Sequence, residues 1–200
     1  MEFLKFCERN FGVQVGSIHV LPSSKKGLPD ISTFIWHDSP EPGMMTVVSY
    51  GLSLMHRKEW IKGRPELMLR VETKDQAWGY AVAAFIGMFR EEKTFQYLTI
   101  LTTDQPIVPG TQMRGFFTFA PPLAKAEVMT FSPADGPPIH LTGFYPIYFE
   151  ERELLPRIGL DTFWHHESYD PFSTSRPNLA KIIEPGGAPD GGPATRAGNS

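Results

Sequence analysis

Short runs in which apolar and polar residues alternate recur along the chain, and this period of two predicts β-strands. The clearest run, residues 66–72, has leucine or valine at positions 67, 69 and 71, with mostly polar residues between them. We therefore predict a strand with one buried face and one largely polar face. Further strands are predicted over residues 15–21, 31–37, 45–50, 95–101, 114–119, 127–131 and 139–149.

Apolar residues at helical spacing predict helices over residues 1–11, 75–92 and 150–159. In the second helix Gly79 and Gly87 lie on one stripe, where glycine costs about 1 kcal/mol relative to alanine. We expect a neighbouring element to approach the helix closely there. Because strands outnumber helices without alternating with them, the predicted fold is α+β, with a mixed, largely antiparallel β-sheet flanked by helices.

Glycine and proline are abundant, at 18 and 19 of 200 residues, and they divide the chain into two parts. Residues 184–200 hold small, charged and proline residues but no large apolar side chain, which predicts a flexible tail behind a domain spanning residues 1–183. Within the domain, Pro146 interrupts a predicted strand and indicates an edge, a bulge or a break.

Composition and charge exclude several classes of protein. Hydrophobic residues make up 41% of the chain, enough for a core, and the net charge of -3 argues against a dedicated nucleic-acid binder. A single cysteine, Cys7, rules out an intramolecular disulfide, and its helical position predicts a buried structural thiol. The charged N-terminus does not resemble a signal peptide, and the longest apolar stretch, residues 77–89, is too short to span a bilayer. We expect a cytoplasmic protein that does not enter a membrane.

No complete catalytic or metal-binding motif is present, so we predict no enzyme activity, no catalytic residue, no metal and no cofactor. The segment around Ser53 resembles a nucleophile elbow, but Met55 replaces the second glycine that the elbow needs. Asp161, His165 and His166 are close in sequence and could supply metal ligands or a histidine–carboxylate pair. A hydrolase that uses Ser53 or that pair remains an alternative, and it requires Ser53, Asp161 and His165 to converge in one pocket.

The most basic segment, residues 56–64, is called the basic loop below, and it contains Trp60, which we expect to be exposed. Basic and aromatic residues together suit single-stranded nucleic acid. The same residues also suit a protein-interaction loop or a solvated connection between two strands. The sequence leaves these three interpretations open.

Several segments resemble the suppressor of fused family by their order and spacing between residues 15 and 178. The first pair is Thr-Val-Val-Ser-Tyr-Gly-Leu-Ser at 46–53 and Pro-Glu-Leu-Met-Leu-Arg-Val-Glu-Thr at 65–73. The long helix and Thr94-Phe95 follow in the family's order. The remaining segments are Phe-Ala-Pro-Pro at 119–122, Phe-Tyr-Pro-Ile-Tyr-Phe-Glu-Glu at 144–151 and Ser-Arg-Pro-Asn at 175–178.

This resemblance implies a bacterial single-domain member that corresponds to the N-terminal half of the animal protein. The animal protein sequesters a transcription factor by holding a short peptide as an added strand between two domains. Thr99 lies near the position where the animal family presents an acidic residue. Bacterial relatives are associated with polymorphic toxin systems, which implies an immunity protein that neutralises a toxin.

The preferred hypothesis is therefore a non-catalytic module that binds a protein partner, with no nucleic acid involved. Its candidate anchors are Trp60 and Arg64 in the basic loop, and Tyr97 and Thr99 on a predicted edge strand that could accept a peptide. A further alternative is an adaptor or regulator that sequesters a partner, with the tail as a tether to a larger assembly.

Overall fold

One mixed β-sheet organises the part of the protein that the computed structural model describes, residues 2–12, 14–123 and 129–183. Its order is β1-β2-β3-β4-β8-β6-β5, and β7 pairs with β8 outside this path. The strands are β1 (Ser17–Leu21), β2 (Ile31–His37), β3 (Met44–Tyr50), β4 (Arg64–Glu72), β5 (Ile100–Thr102), β6 (Met113–Phe119), β7 (Thr130–Phe131) and β8 (Ile139–Tyr148).

Every pair of neighbouring strands is antiparallel except β4 and β8, which run parallel. This confirms the predicted mixed, largely antiparallel sheet. The β4–β8 pairing ends at Gly143, so Pro146 lies beyond it and interrupts no hydrogen bond to β4. On the β4 side Pro146 therefore lies at an edge position of β8, one of the predicted outcomes, while on the other side it pairs with Phe116 of β6.

Helices cover both faces of the sheet. The face that carries Leu67 and Leu69 packs against α2, and the opposite face packs against α1 at one end and against α3–α5 at the other. Within the described residues no helix combines the length and apolarity needed to cross a membrane. The helices are α1 (Glu2–Phe11), α2 (Ala77–Phe89), α3 (Glu151–Ile158), α4 (Leu160–Trp164) and α5 (Leu179–Ile183).

The glycine stripe of α2 lies against the sheet, as predicted. A Cβ atom at Gly79 would lie 2.5 Å from Ile35 Cδ1, and one at Gly87 would lie 3.2 Å from Leu21 Cδ2. At Gly79 the helix therefore approaches β2 more closely than a side chain would allow, whereas at Gly87 the approach to Leu21 is close but less severe.

The second face of β4 is more buried than its polar residues predict, since it is buried at Glu66 and Met68, half-buried at Arg70 and exposed at Glu72. Glu66 and Met68 are both 0% exposed. Since β4 lies between β3 and β8, with α1 packed over Met68, this part of its second face belongs to a core and not to solvent.

A buried ion pair attaches the C-terminal segment to the body. Both terminal nitrogens of Arg176 donate to the Glu151 carboxylate at 2.6 Å, and these side chains are 1% and 0% exposed. Glu151 also accepts hydrogen bonds from the N–H groups of Tyr148 and Leu179. The segment after Asp170 docks on the body and ends in helix α5. The predicted tail, residues 184–200, lies outside the described residues.

Candidate functional site

Residues 96–99 form a tight turn immediately before β5, and we call it the Tyr97 turn. The Thr99 N–H donates to the Gln96 carbonyl at 3.0 Å, and Leu98 has a φ of 58°. A non-glycine residue with positive φ is uncommon, and such conformations cluster at functional sites. The chain thus holds a leucine where a turn of this shape favours glycine.

Thr118 of β6 fixes this turn. Its side chain is fully buried, its Oγ1 donates to the Gln96 carbonyl, and the same atom accepts the Thr99 N–H at 2.8 Å. The Thr118 carbonyl accepts the Leu98 N–H at 2.8 Å. The turn is therefore held from within the protein, and its tip is left for solvent or a partner.

An aromatic surface surrounds the tip. Tyr97 is 63% exposed and its ring lies 5.3 Å from that of Phe119, which in turn lies 4.9 Å from Trp164. Leu98 is 37% exposed beside Tyr97. These four side chains form a partly exposed apolar patch at the β5 end of the sheet.

The strand predicted over residues 95–101 is shorter than expected. Only Ile100–Thr102 forms β5, so Tyr97 and Thr99 precede the edge strand and do not lie on it. The cause is the positive φ of Phe95 and Leu98, which extended backbone does not tolerate. The prediction of an edge is confirmed, because β5 is the last strand of the sheet.

The expected exposure of Trp60 is wrong. Its side chain is 8% exposed, joins the core beneath α2, and donates its indole N–H to the Thr94 carbonyl at 2.9 Å. Burial of a large indole ring is favourable when its N–H has a hydrogen-bond partner. Trp60 therefore turns inward and anchors the basic loop. Contact between Trp60 and a partner therefore needs a change in this packing.

The basic loop and the Tyr97 turn are neighbours. Gln96 Nε2 donates to the Glu59 carbonyl at 3.2 Å, and Arg57 donates to the backbone carbonyl of Arg90. The tip of the loop is Ile61, which is 88% exposed. The sequence did not identify Ile61 and Leu98 as exposed candidate residues. For Ile61, its position next to a lysine in a basic segment was the available signal.

Arg64 does not project freely from the loop. It is the first residue of β4, its side chain donates to the Ser53 carbonyl at 3.1 Å, and its N–H donates to the Pro138 carbonyl at 2.8 Å. It is half-buried, and these two hydrogen bonds fix the end of the loop.

The buried carboxylate of Glu66 closes the turn that follows β3. The Ser49 hydroxyl donates to it at 2.5 Å, and the N–H groups of Gly51 and Ser53 each donate at 2.8 Å. Burial raises the pKa of Glu66, while these hydrogen bonds oppose that rise. The Tyr-Gly-Leu-Ser and Glu-Leu segments are thus two halves of one hydrogen-bonded unit.

The residues of the hydrolase alternative do not form a catalytic arrangement in the described structure. Ser53 is 1% exposed, and its Oγ has no hydrogen-bond partner there. His165 instead pairs with Asp161 at 3.1 Å on the surface of α4, where the side chains are 72% and 95% exposed. A general base must come within hydrogen-bond reach of the hydroxyl, and no histidine does so.

Two other candidate groups have local roles. His166 Nδ1 accepts the Ser168 N–H at 3.1 Å, and Cys7 is fully buried in the α1 core, where desolvation and then the nearby Glu66 raise its pKa. The predicted buried thiol is confirmed. Across the described residues, no three His, Cys, Asp or Glu side chains come together in a group that could hold a metal ion.

An open groove of about 680 Å³ lies between α1 and residues 131–134. Its wall on α1 carries the charged residues Glu2, Lys5, Glu8 and Arg9. Small-molecule sites are usually enclosed and mostly apolar, so this groove is a poor candidate for one. The candidate site is accordingly a surface at the β5 end of the sheet.

Comparisons with known proteins agree with the resemblance seen in the sequence. Residues 27–177 match the model of the suppressor of fused protein family. No curated protein sequence matches the chain.

Solved structures share the fold at low identity. A suppressor of fused homologue from Neisseria gonorrhoeae FA 1090 has a TM-score of 0.64 and 14% identity, over 88% of this chain and 93% of that one. The chain matched in the Sufu–Fu complex also scores 0.64, at 11% identity, over 92% and 93%. Drosophila Suppressor of Fused scores 0.57 at 12% identity, over 80% of this chain and 45% of that one. The family match covers most of the chain and the fold agrees, so this protein belongs to the suppressor of fused family.

Proposed function

We propose that this protein is a non-catalytic module that binds a protein partner through the surface formed by the Tyr97 turn and the basic loop. The observation that carries the proposal is the exposed Tyr97–Leu98 tip, held in an unfavourable backbone conformation by a buried threonine. A glycine at position 98 would adopt this φ without steric cost. The presence of leucine there suggests that its side chain has a role. A rigid exposed tyrosine is also a typical anchor, because it loses little conformational entropy on binding.

The charges beside the tip favour an acidic partner surface. Arg57, Lys58 and Lys62 flank the exposed Ile61, although the whole chain has a net charge of -3. Positive groups around an apolar tip steer a partner that carries carboxylates around an apolar pocket. Arg64 contributes from the base of the loop.

The outer edge of β5 offers a second element of binding. It ends the sheet and is three residues long, so a partner peptide can add to it as a strand. Thr99 supports this edge: its N–H donates to Thr118 Oγ1 and its hydroxyl donates to the Gln96 carbonyl at 2.7 Å. We expect Thr99 to position the edge and Tyr97 to contact the partner.

The finer proposal is that the partner is a bacterial toxin and that the protein neutralises it in the cytoplasm. The Sufu–Fu complex supports a protein partner, since a chain of the same fold was solved in a complex. A toxin encoded beside this gene is the natural first candidate to test.

The experiment combines co-expression with a binding measurement. The product of the neighbouring gene is expressed alone and together with this protein, and cell growth is followed. Binding of the purified pair is measured by calorimetry for the wild type, Tyr97→Ala and Met88→Ala. We expect Tyr97→Ala to cost about 2 kcal/mol, roughly thirty-fold in Kd.

Met88 is the control, because it is 58% exposed on α2, outside the Tyr97 turn and the basic loop. Equal losses for both variants, or no loss for Tyr97→Ala, would contradict the proposed surface. Binding without rescue of growth would keep the binding module and reject the immunity role.

A further inference from the structure

Strand β1 forms the end of the sheet opposite β5. Among the described strands it pairs only with β2, so no described strand lies on its outer side. In an antiparallel ladder, every second residue of such a strand points its N–H and C=O away from the sheet. These groups are available for pairing along the whole of β1.

The side chains of β1 make this edge apolar. Ile18 and Val20 are 50% and 47% exposed on one face of the sheet. Residues 17–21 include no lysine, arginine, carboxylate or proline, which are the residues that usually protect an edge strand. An edge of this kind is normally covered in the functional protein.

We propose that β1 pairs with β1 of a second copy of this chain, antiparallel about a two-fold axis through His19. This register places Ile18 opposite Val20 of the second copy and Val20 opposite its Ile18. A pairing shifted by one residue would place these side chains on opposite faces. Centring on His19 also pairs all five residues of the strand.

Self-complementarity is the argument for a second copy over a different protein. Each half-exposed apolar side chain covers its counterpart, and no charged residue within β1 opposes another. On the other face His19 lies 4.3 Å from Tyr80, which is 43% exposed, so the two tyrosines extend the apolar cover. A two-fold axis closes the contact, which gives a dimer and not a polymer.

Sedimentation of the full chain over a concentration series tests the dimer. The mass of the wild type should rise towards twice that of one chain. Val20→Lys should weaken dimerisation by at least about ten-fold, because it places a lysine against the apolar pair. Tyr97→Lys, an exposed position at the opposite edge, should leave dimerisation unchanged.

A cross-link tests the register. His19→Cys brings the two substituted residues directly opposite each other, within the separation that a disulfide spans. Mild oxidation should then yield a covalent dimer, whereas Tyr97→Cys should not, and the native Cys7 is buried.

Three results would overturn the proposal: a wild type that stays monomeric at every soluble concentration, a mass that grows beyond the dimer, or equal cross-linking in both variants. A monomer would leave the edge open or assign it to a different protein. The outcome does not depend on partner binding at the Tyr97 turn, which lies at the other end of the sheet.

Discussion

At the scale of single residues, Glu66 connects a recognisable sequence segment to a physical task. It is fully buried yet accepts three hydrogen bonds from the turn after β3. The Gly51 backbone, at a φ of 130°, passes so close to the Asp30 carbonyl that a Cβ would lie 2.2 Å from it. Glycine and glutamate are therefore both required for the same turn.

The raised pKa of Glu66 predicts a specific dependence of stability on pH. A carboxyl group with a raised folded-state pKa contributes stability below its ordinary value, near 4.5, and loses it as the pH rises through the folded-state value. As the pH rises above 4.5, we expect the free energy of unfolding of the wild type to fall relative to that of Glu66→Gln, because glutamine does not titrate. Urea unfolding at several pH values measures this.

Glu66→Ala is the companion variant to Glu66→Gln. It leaves the three donors unpaired in the core and should cost about 3 kcal/mol or more at every pH. A constant difference between wild type and Glu66→Gln across the pH range would show that Glu66 does not titrate as its burial implies.

Leu98 tests the strain in the Tyr97 turn. At a φ of 58°, Leu98→Gly relieves the steric cost, whereas Leu98→Ala removes the side chain but keeps the conformation. We expect the glycine variant to be more stable than the alanine variant by about 1 kcal/mol, by thermal unfolding. Equal stabilities would mean that the turn is unstrained.

At the scale of elements, α2 contains two glycines in unequal surroundings. A Cβ at Gly87 approaches one leucine methyl at 3.2 Å, whereas at Gly79 it would collide with the fully buried Ile35 at 2.5 Å. We expect Gly87→Ala to stabilise the protein by about 0.5 kcal/mol through helix propensity, and Gly79→Ala to destabilise it.

Chemical denaturation of both glycine variants, on the same helix, isolates the effect of the close approach. If both variants were stabilised equally, the contact between α2 and β2 would be looser than the structure shows.

At the scale of the whole molecule, the C-terminal segment depends on one buried charge pair. Arg176→Met leaves the Glu151 carboxylate buried with only backbone donors, so we expect a loss of about 3 kcal/mol in unfolding free energy. Arg152→Met is the control, because its pair with Glu153 is on the surface at 3.3 Å. A similarly small change in unfolding free energy for both variants would show that the buried ion pair does not hold the C-terminal segment in place.

The local pattern of apolar and polar residues was sufficient to predict the position of most helices and strands. It was insufficient to predict which side chains are exposed. Alternation and helical spacing placed the three main helices and all the longer strands, because the core imposes those periods on the chain. The pattern failed at Phe95 and Leu98, which both have positive φ. The turn that contains Leu98 is held by Thr118 of β6, which is far away in the sequence. It also misplaced Trp60, since the carbonyl that receives its indole N–H belongs to residue 94.

By itself, the amino-acid sequence determined the α+β class, the position of its main elements and, through ordered segments, the suppressor of fused family. The class and the elements follow from local periodicity, together with Pro146, which fixes its own φ, and Gly51, which adopts a φ of 130° that other residues disfavour. The family follows from the resemblance of the ordered segments. Only the tertiary structure decided which of the candidate side chains are exposed. Exposure of Tyr97, Leu98 and Ile61, and burial of Trp60, depend on contacts between segments far apart in the chain, and short-range pattern does not contain them.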